Sequence, residues 1–180
     1  MGDELIDVVD EENNLLKIQK MKSEAHAKGL WHRAAHVWIY NSEGKVMLQF
    51  RAKNKLLFPA VWDISVGGHV AAGEEALVSA MRETEEELGI KANVSDFDFI
   101  RIMKIAIKYK DIDNKEFIYV YLLKFDGNID ELSVQEEEVE KIRFFSFAEV
   151  SSLVDKGIKY IITNKNYWQE MSKIIKERLQ

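Results

Sequence analysis

The sequence contains no cysteine among its 180 residues. Disulfides, thiolate metal sites and a cysteine nucleophile are therefore excluded, and a reducing, cytoplasmic setting is the expectation. Proline is nearly absent too: Pro59 stands alone, and it should force Phe58 toward an extended conformation. Positive charge is in the minority, with 25 Lys and Arg against 31 Asp and Glu for a net charge of −6. Without a basic tract, the chain lacks the electrostatic footprint of a nucleic-acid binder. No apolar run approaches the ~20 residues that span a bilayer, so no membrane partner is expected. The first residues are acidic rather than a basic leader with an apolar run. Neither a repeat nor a low-complexity linker divides the chain, and residues 1–180 read as one domain.

What the sequence does have is concentrated in residues 67–90, GGHVAAGEEALVSAMRETEEELGI. Gly67 and Gly68 suggest a turn. A helical pattern runs from about Glu74 to Leu88, and Gly89 sits where a left-handed C-terminal cap belongs. Leu77, Met81, Thr84 and Leu88 recur at helical spacing as a core-facing stripe. Glu83, Glu86 and Glu87 share another face. Like charges so placed cost about 0.2–0.5 kcal/mol per pair, and the helix dipole disfavours anions at that end. Arg82 can pair with Glu86, yet a negative cluster remains. A hard divalent cation would resolve it, since Mg2+ commonly bridges carboxylates to substrate phosphates; the alternative is a solvated acidic face.

Elsewhere the pattern is mixed. Residues 4–9 and 15–18 read as a hairpin and 20–28 as a short helix, so 1–30 forms an N-terminal hairpin and helix before a core over 31–180. Strands are expected at 31–40, 45–51, 61–66, 97–107, 116–125 and 141–145, with turns at 41–44 and 111–114. Ser146 with Glu149 forms a capping-box signature for a helix to about Lys156. Trp168, Met171, Ile174, Ile175 and Leu179 fit a packed C-terminal helix from about Asn164. Strands and helices without a βαβ repeat indicate an α+β fold. Arg51 and Lys55 are the best candidates for phosphate contacts, a planar fork and a point charge respectively. Phe50, Phe58 and Trp62 are pocket or core. His36 reads as structural.

The spacing Gly68, Glu74, Arg82-Glu83, Glu86-Glu87, Gly89-Ile90 resembles the Nudix box of the Nudix hydrolase family. The departure is Thr84, where the family has an aliphatic residue. The resemblance implies a Nudix fold, a mixed β-sheet sandwiched between α-helices. It implies hydrolysis of a small-molecule diphosphate linked to another moiety, with Mg2+ or Mn2+ as cofactor. Glu83, Glu86 and Glu87 become the metal ligands and catalytic carboxylates. Gly67 and Gly68 would let the backbone approach metal or phosphate, and Glu74, Arg82 and Gly89 become structural members of the motif. The general base is a box glutamate or one from a later loop, where Glu137 and Glu138 lie in an acidic run.

Residues 26–69 further resemble the branch related to isopentenyl-diphosphate isomerase, through His26, His32, the 38–41 strand end, Arg51, Lys55, Phe58-Pro59, Trp62 and Gly68-His69. That resemblance implies a possible second metal site at His26, His32, His69 and Glu116, with Asn114 in place of a further glutamate. The isomerase's catalytic cysteine position is Gly67 here. Glycine can neither donate nor accept a proton, so the reading leans to hydrolysis. An isomerase-like enzyme and a non-catalytic diphosphate-binding module are the alternatives.

Overall fold

A computed structural model of the chain describes residues 3–55, 57–109 and 112–180. In chain order it contains β1 (Leu5–Val9), β2 (Leu15–Met21), α1 (Lys22–Lys28), β3 (Trp31–Tyr40), β4 (Lys45–Arg51), β5 (Trp62–Asp63) and β6 (Val66–His69). There follow α2 (Ala76–Leu88), β7 (Phe97–Tyr109), β8 (Ile112–Lys124), β9 (Val139–Ser146), α3 (Phe147–Lys156) and α4 (Lys165–Arg178). The strands form a single mixed sheet.

β3 is the spine. Its aromatic and branched residues suit a strand buried on both faces. Ala34, Trp38 and Tyr40 pack into a core with residues of α3 and α4, while Ala35, Val37 and Ile39 pack on the α2 side. The sheet thus lies between helices, as the resemblance implied. β8 runs parallel to β3 along its whole length. β1, β6 and β4 pair with β3 in succession, at Val8↔His32, at His69 to Val66, and at Ile39↔Met47.

Several expectations shift. Gly67 and Gly68 are not a turn; they lie in β6 opposite His36 and Ala35. The single strand expected at 61–66 is divided between β5 and β6 at Ser65. This fully buried hydroxyl accepts from Ile39 N at 2.8 Å and donates to Met47 O at 2.6 Å, bridging β3 to β4. Residues 112–114, expected as part of a turn, belong to β8, because the β7–β8 ladder continues to Tyr109↔Ile112; Asp111 lies outside the described residues. Phe58 is not extended but has φ 45°. Arg51 holds the carbonyls of Leu57 and Phe58 at 2.9 and 3.0 Å, and that clamp overrides the preference imposed by Pro59.

α2 starts at Ala76 and ends at Gly89 with φ 70°, the left-handed cap expected of it. Its buried face is rotated from the expected stripe. Ala76, Ala80, Thr84 and Leu88 are buried together with Glu83 and Glu87, whereas Leu77 and Met81 are only half-buried. Thr84 is accommodated in this packing because its hydroxyl donates to Ala80 O at 2.7 Å. The capping box Ser146/Glu149 opens α3, and Asn164 caps α4.

Candidate active site

The floor of the site is the face shared by β3, β6 and β8. Because side chains alternate along a strand, His32, Ala34 and His36 share one side of β3, and directly paired residues put His69, Gly67 and Glu116 there too. α1 adds His26. The rings of His26, His32 and His69 have centroids 5.1–5.3 Å apart. The ligating atoms of these three and of Glu116 all lie within 4.8 Å of one another.

The hydrogen bonding of this group fits a cation. His32 Nδ1 lies 2.9 Å from Leu30 O, which can only accept, so Nδ1 carries the hydrogen and Nε2 presents a lone pair. That Nε2 faces Glu116 Oε1 at 3.6 Å, and His69 Nε2 faces the same oxygen at 3.3 Å. The Nε2 atoms of His26, His32 and His69 are all buried without a hydrogen-bond partner. Burial pushes His26 down to about 4 and holds His69 below the usual imidazole range, so both favour the neutral, ligating form. A divalent ion would satisfy all four groups, and three imidazoles with one carboxylate suit Zn2+, Mn2+ or Fe2+ better than Mg2+.

The box carboxylates occupy the neighbouring wall. Glu83 is fully buried, with Oε1 at 2.7 Å from Arg82 and Oε2 unpartnered. A Cβ on Gly68 would lie 2.6 Å from Glu83 Oε1 and closer still to its carbon atoms, so glycine is what lets this carboxylate reach the floor. Glu87 is buried and accepts from Gln49 Nε2 at 3.1 Å. Burial, and then the nearby Glu83, push Glu87 up to about 8. Glu86 differs from both: it is exposed and pairs with Arg82 at 3.2 Å. The three acids expected on one helix face therefore divide into two inward and one outward. Arg82 also meets Glu74 at 3.4 Å and Glu4 at 3.5 Å, so it binds the loop before α2 to the helix.

A cavity of about 180 Å³ reaches one of the box carboxylates, Glu83, and two members of the histidine cluster, His69 and Glu116, and is lined also by Arg51, Lys55 and Gly68. Lys55 pairs with the buried Glu138, which makes that glutamate part of the wall rather than a solvated turn; Glu137 is exposed. Burial, then Arg51, push Lys55 down to about 8. Arg51 spends its donors on Leu57 O, Phe58 O and Asp63, so it offers an incoming phosphate its charge more than a free fork. Phe58 lines the cavity, whereas Phe50 and Trp62 pack edge-on with centroids 5.2 Å apart, and Trp62 continues onto Phe145 at 4.7 Å.

Sequence reasoning missed three contributors. Lys22 lines this cavity and an adjoining one of about 400 Å³ that opens past His26 and Glu137. Glu4 reaches Arg82 from the N-terminal segment, and Asp63 anchors Arg51 at 3.1 Å. All are brought in by long-range pairing with no local signature. The hairpin is tied to the loop before α2 by the Ile6↔Ala71 bridge, by Ala72 N donating to Leu5 O at 2.9 Å, and by Gly73 N donating to Asp7 at 2.7 Å.

Comparison with known proteins agrees with this geometry. The NUDIX domain model matches residues 30–164. Nudix hydrolase 3 of Arabidopsis thaliana is 34% identical over 161 residues, 87% of this chain but 21% of that longer protein. An isopentenyl-diphosphate Delta-isomerase of Serratia proteamaculans is 31% identical over 157 residues, covering 86% of this chain and 81% of that one. Among solved crystal structures, one from Deinococcus radiodurans superposes with a TM-score of 0.66 over 97% of this chain and 98% of that chain, at 19% identity, a likeness of fold. No helix among the described residues is long and apolar enough to cross a membrane. The family match over three-quarters of the sequence, together with the box on α2, establishes that the chain belongs to the Nudix hydrolase family, on the side that includes an isomerase relative.

Proposed function

We propose that the chain is a divalent-metal-dependent pyrophosphohydrolase that cleaves a diphosphate linked to another small moiety, with residues 1–180 working as one unit in the cytoplasm. The observation that carries this reading is the unpartnered, buried oxygen of Glu83 beside buried Glu87, at a cavity that is also lined by the cations Lys22, Arg51 and Lys55. Glu83 and Glu87 would hold Mg2+ or Mn2+, and His26, His32, His69 and Glu116 a second ion. Such ions, when bound, neutralise phosphate oxygens and supply a water of lowered pKa.

The protein groups have separate tasks. Lys22 and Lys55 offer point charges to the phosphates. Glu138 holds Lys55 in place, and Arg82 holds Glu83 and Glu74 in register. Glu86, outward and exposed, pairs with Arg82 rather than turning inward with Glu83 and Glu87. The bareness of Gly67 removes the acid or base that proton relay across an allylic carbon needs, which favours hydrolysis over isomerisation. The histidine cluster and the isomerase relative favour the second reading, an isomerase-like activity.

Phosphate release from a panel of nucleoside, sugar and alkyl diphosphates, with and without Mg2+ or Mn2+, tests the proposal. Metal-dependent release from at least one is expected. Binding without product over hours would leave a non-catalytic module, and conversion between allylic isomers with solvent deuterium uptake would establish the isomerase.

A further inference from the structure

His36 has a role that neither the box nor the histidine cluster gives it. It lies at the far end of the same floor, opposite Gly67. Its Nδ1 is 3.3 Å from the hydroxyl of Tyr167 on α4, and the same hydroxyl receives the indole N–H of Trp38 at 2.9 Å. Indole N–H can only donate, so Trp38 occupies a lone pair of the Tyr167 oxygen. The Tyr167 hydrogen then needs an acceptor. Tyr167 is buried, and His36 Nδ1 is the sole candidate within hydrogen-bond distance among the described residues. The chain of bonds therefore runs one way: Trp38 to Tyr167, and Tyr167 to His36 Nδ1. Burial keeps His36 below the usual imidazole range, in the neutral form this chain requires. Its one hydrogen must sit on Nε2.

That Nε2 has no protein partner among the described residues, and His36 lines the cavity. It borders the space that any side chain at position 67 would enter, since a Cβ there would lie 3.8 Å from Nε2. Gly67 is two residues along β6 from His69, roughly 7 Å at ordinary strand rise. That is the span of one small organic group reaching away from the ion-binding end. At the opposite end the buried Asn114 Oδ1 also lines the cavity and also lacks a partner.

We infer that His36 is a specificity-determining residue: its Nε2–H, fixed by Tyr167, donates to an oxygen on the non-phosphate part of the substrate. The substrate class is then a diphosphate whose organic group carries hydroxyl or carbonyl oxygen near the linkage, in preference to a plain hydrocarbon diphosphate. This inference rests on the reading of the cavity as a diphosphate site. It does not depend on hydrolysis occurring there.

The test uses two methylene-bisphosphonate analogues with the same carbon skeleton, one alkyl and one hydroxylated, titrated calorimetrically into the full chain with Mg2+. The wild type should bind the hydroxylated analogue about five- to tenfold more tightly, the range of one neutral hydrogen bond. His36→Phe keeps a ring without the donor and should bring the ratio to within twofold; His36→Asn, which restores a donor, should recover part of it. Nitrogen-15 NMR of the wild type should show the Nε2–H tautomer of His36, and Tyr167→Phe should remove that preference. An unchanged ratio in His36→Phe, or a Nδ1–H tautomer in the wild type, overturns the assignment; the tautomer measurement decides even if the Phe variant does not fold. Turnover of the parent diphosphates is scored separately. A His36-dependent preference without turnover sinks the hydrolase reading alone, and turnover without that preference sinks this inference alone.

Discussion

Replacing Gly68 by alanine tests why a glycine stands in β6 at all. Gly68 does not have a positive φ, so its backbone makes no special demand. At an unstrained position, Gly→Ala stabilises by roughly 0.4–1 kcal/mol through the unfolded chain. Here the added methyl would meet the carboxyl group of the buried Glu83 at 2.6 Å or less. Overpacking of this kind costs about 1–3 kcal/mol, so Gly68→Ala should lose a net ~1–2 kcal/mol, or roughly 2–8 °C in Tm for a chain of this size. In a Glu83→Ala background the obstacle is gone, and the same change should be neutral or stabilising. The two substitutions should then couple by about 1–3 kcal/mol, above the ~0.5 kcal/mol within which independent sites add. Urea unfolding of the four proteins at one pH measures the coupling. If Gly68→Ala costs the same with and without Glu83, the glycine is not there to admit the carboxylate, and the reasoning about this wall fails.

Glu87→Gln should lower kcat at least a hundredfold, measured as metal-dependent phosphate release. It should also flatten the pH dependence of stability. A folded pKa raised from 4.5 to about 8 means that the native state keeps a proton the unfolded chain has lost, so metal-free wild type should weaken relative to the variant as pH rises through that window. His32→Ala should lower affinity for Mn2+ or Zn2+ by tenfold or more in calorimetry; unchanged binding would remove His32 from the ligand set. Lys55→Ala strands Glu138 with 5% of its side chain exposed. It should cost roughly 2–4 kcal/mol in denaturant titrations, below the ~3–5 kcal/mol of a fully enclosed pair, and adding Glu138→Gln should recover part of that loss.

Local signals were legible in the sequence. The α2 cap at Gly89, the capping box of α3 and the strand at 31–40 depend on near neighbours, and each formed where the pattern placed it. The orientation of α2 was harder. Apolar spacing pointed to Leu77 and Met81, but small residues at 76 and 80 allow closer approach to the sheet and turn Glu83 and Glu87 inward. The Gly67–Gly68 pair looked like a turn because glycine is read as a backbone device, whereas at 68 it acts by omission of a side chain. The histidine group was legible only through likeness to a family, since its members come from four separate elements. His36 gave no signal, because its meaning depends on Tyr167, 131 residues away.

The N-terminal hairpin has a consequence for how little of this protein can be dispensed with. It lies ahead of the matched family region, yet it carries Glu4, is followed directly by Lys22 and His26, and laces onto residues 71–73. A fragment that began where the family match begins would lose two strands of the sheet, β1 and β2, together with one imidazole, one cation and the brace behind Arg82. In this chain the border of the recognisable domain and the border of the working pocket do not coincide.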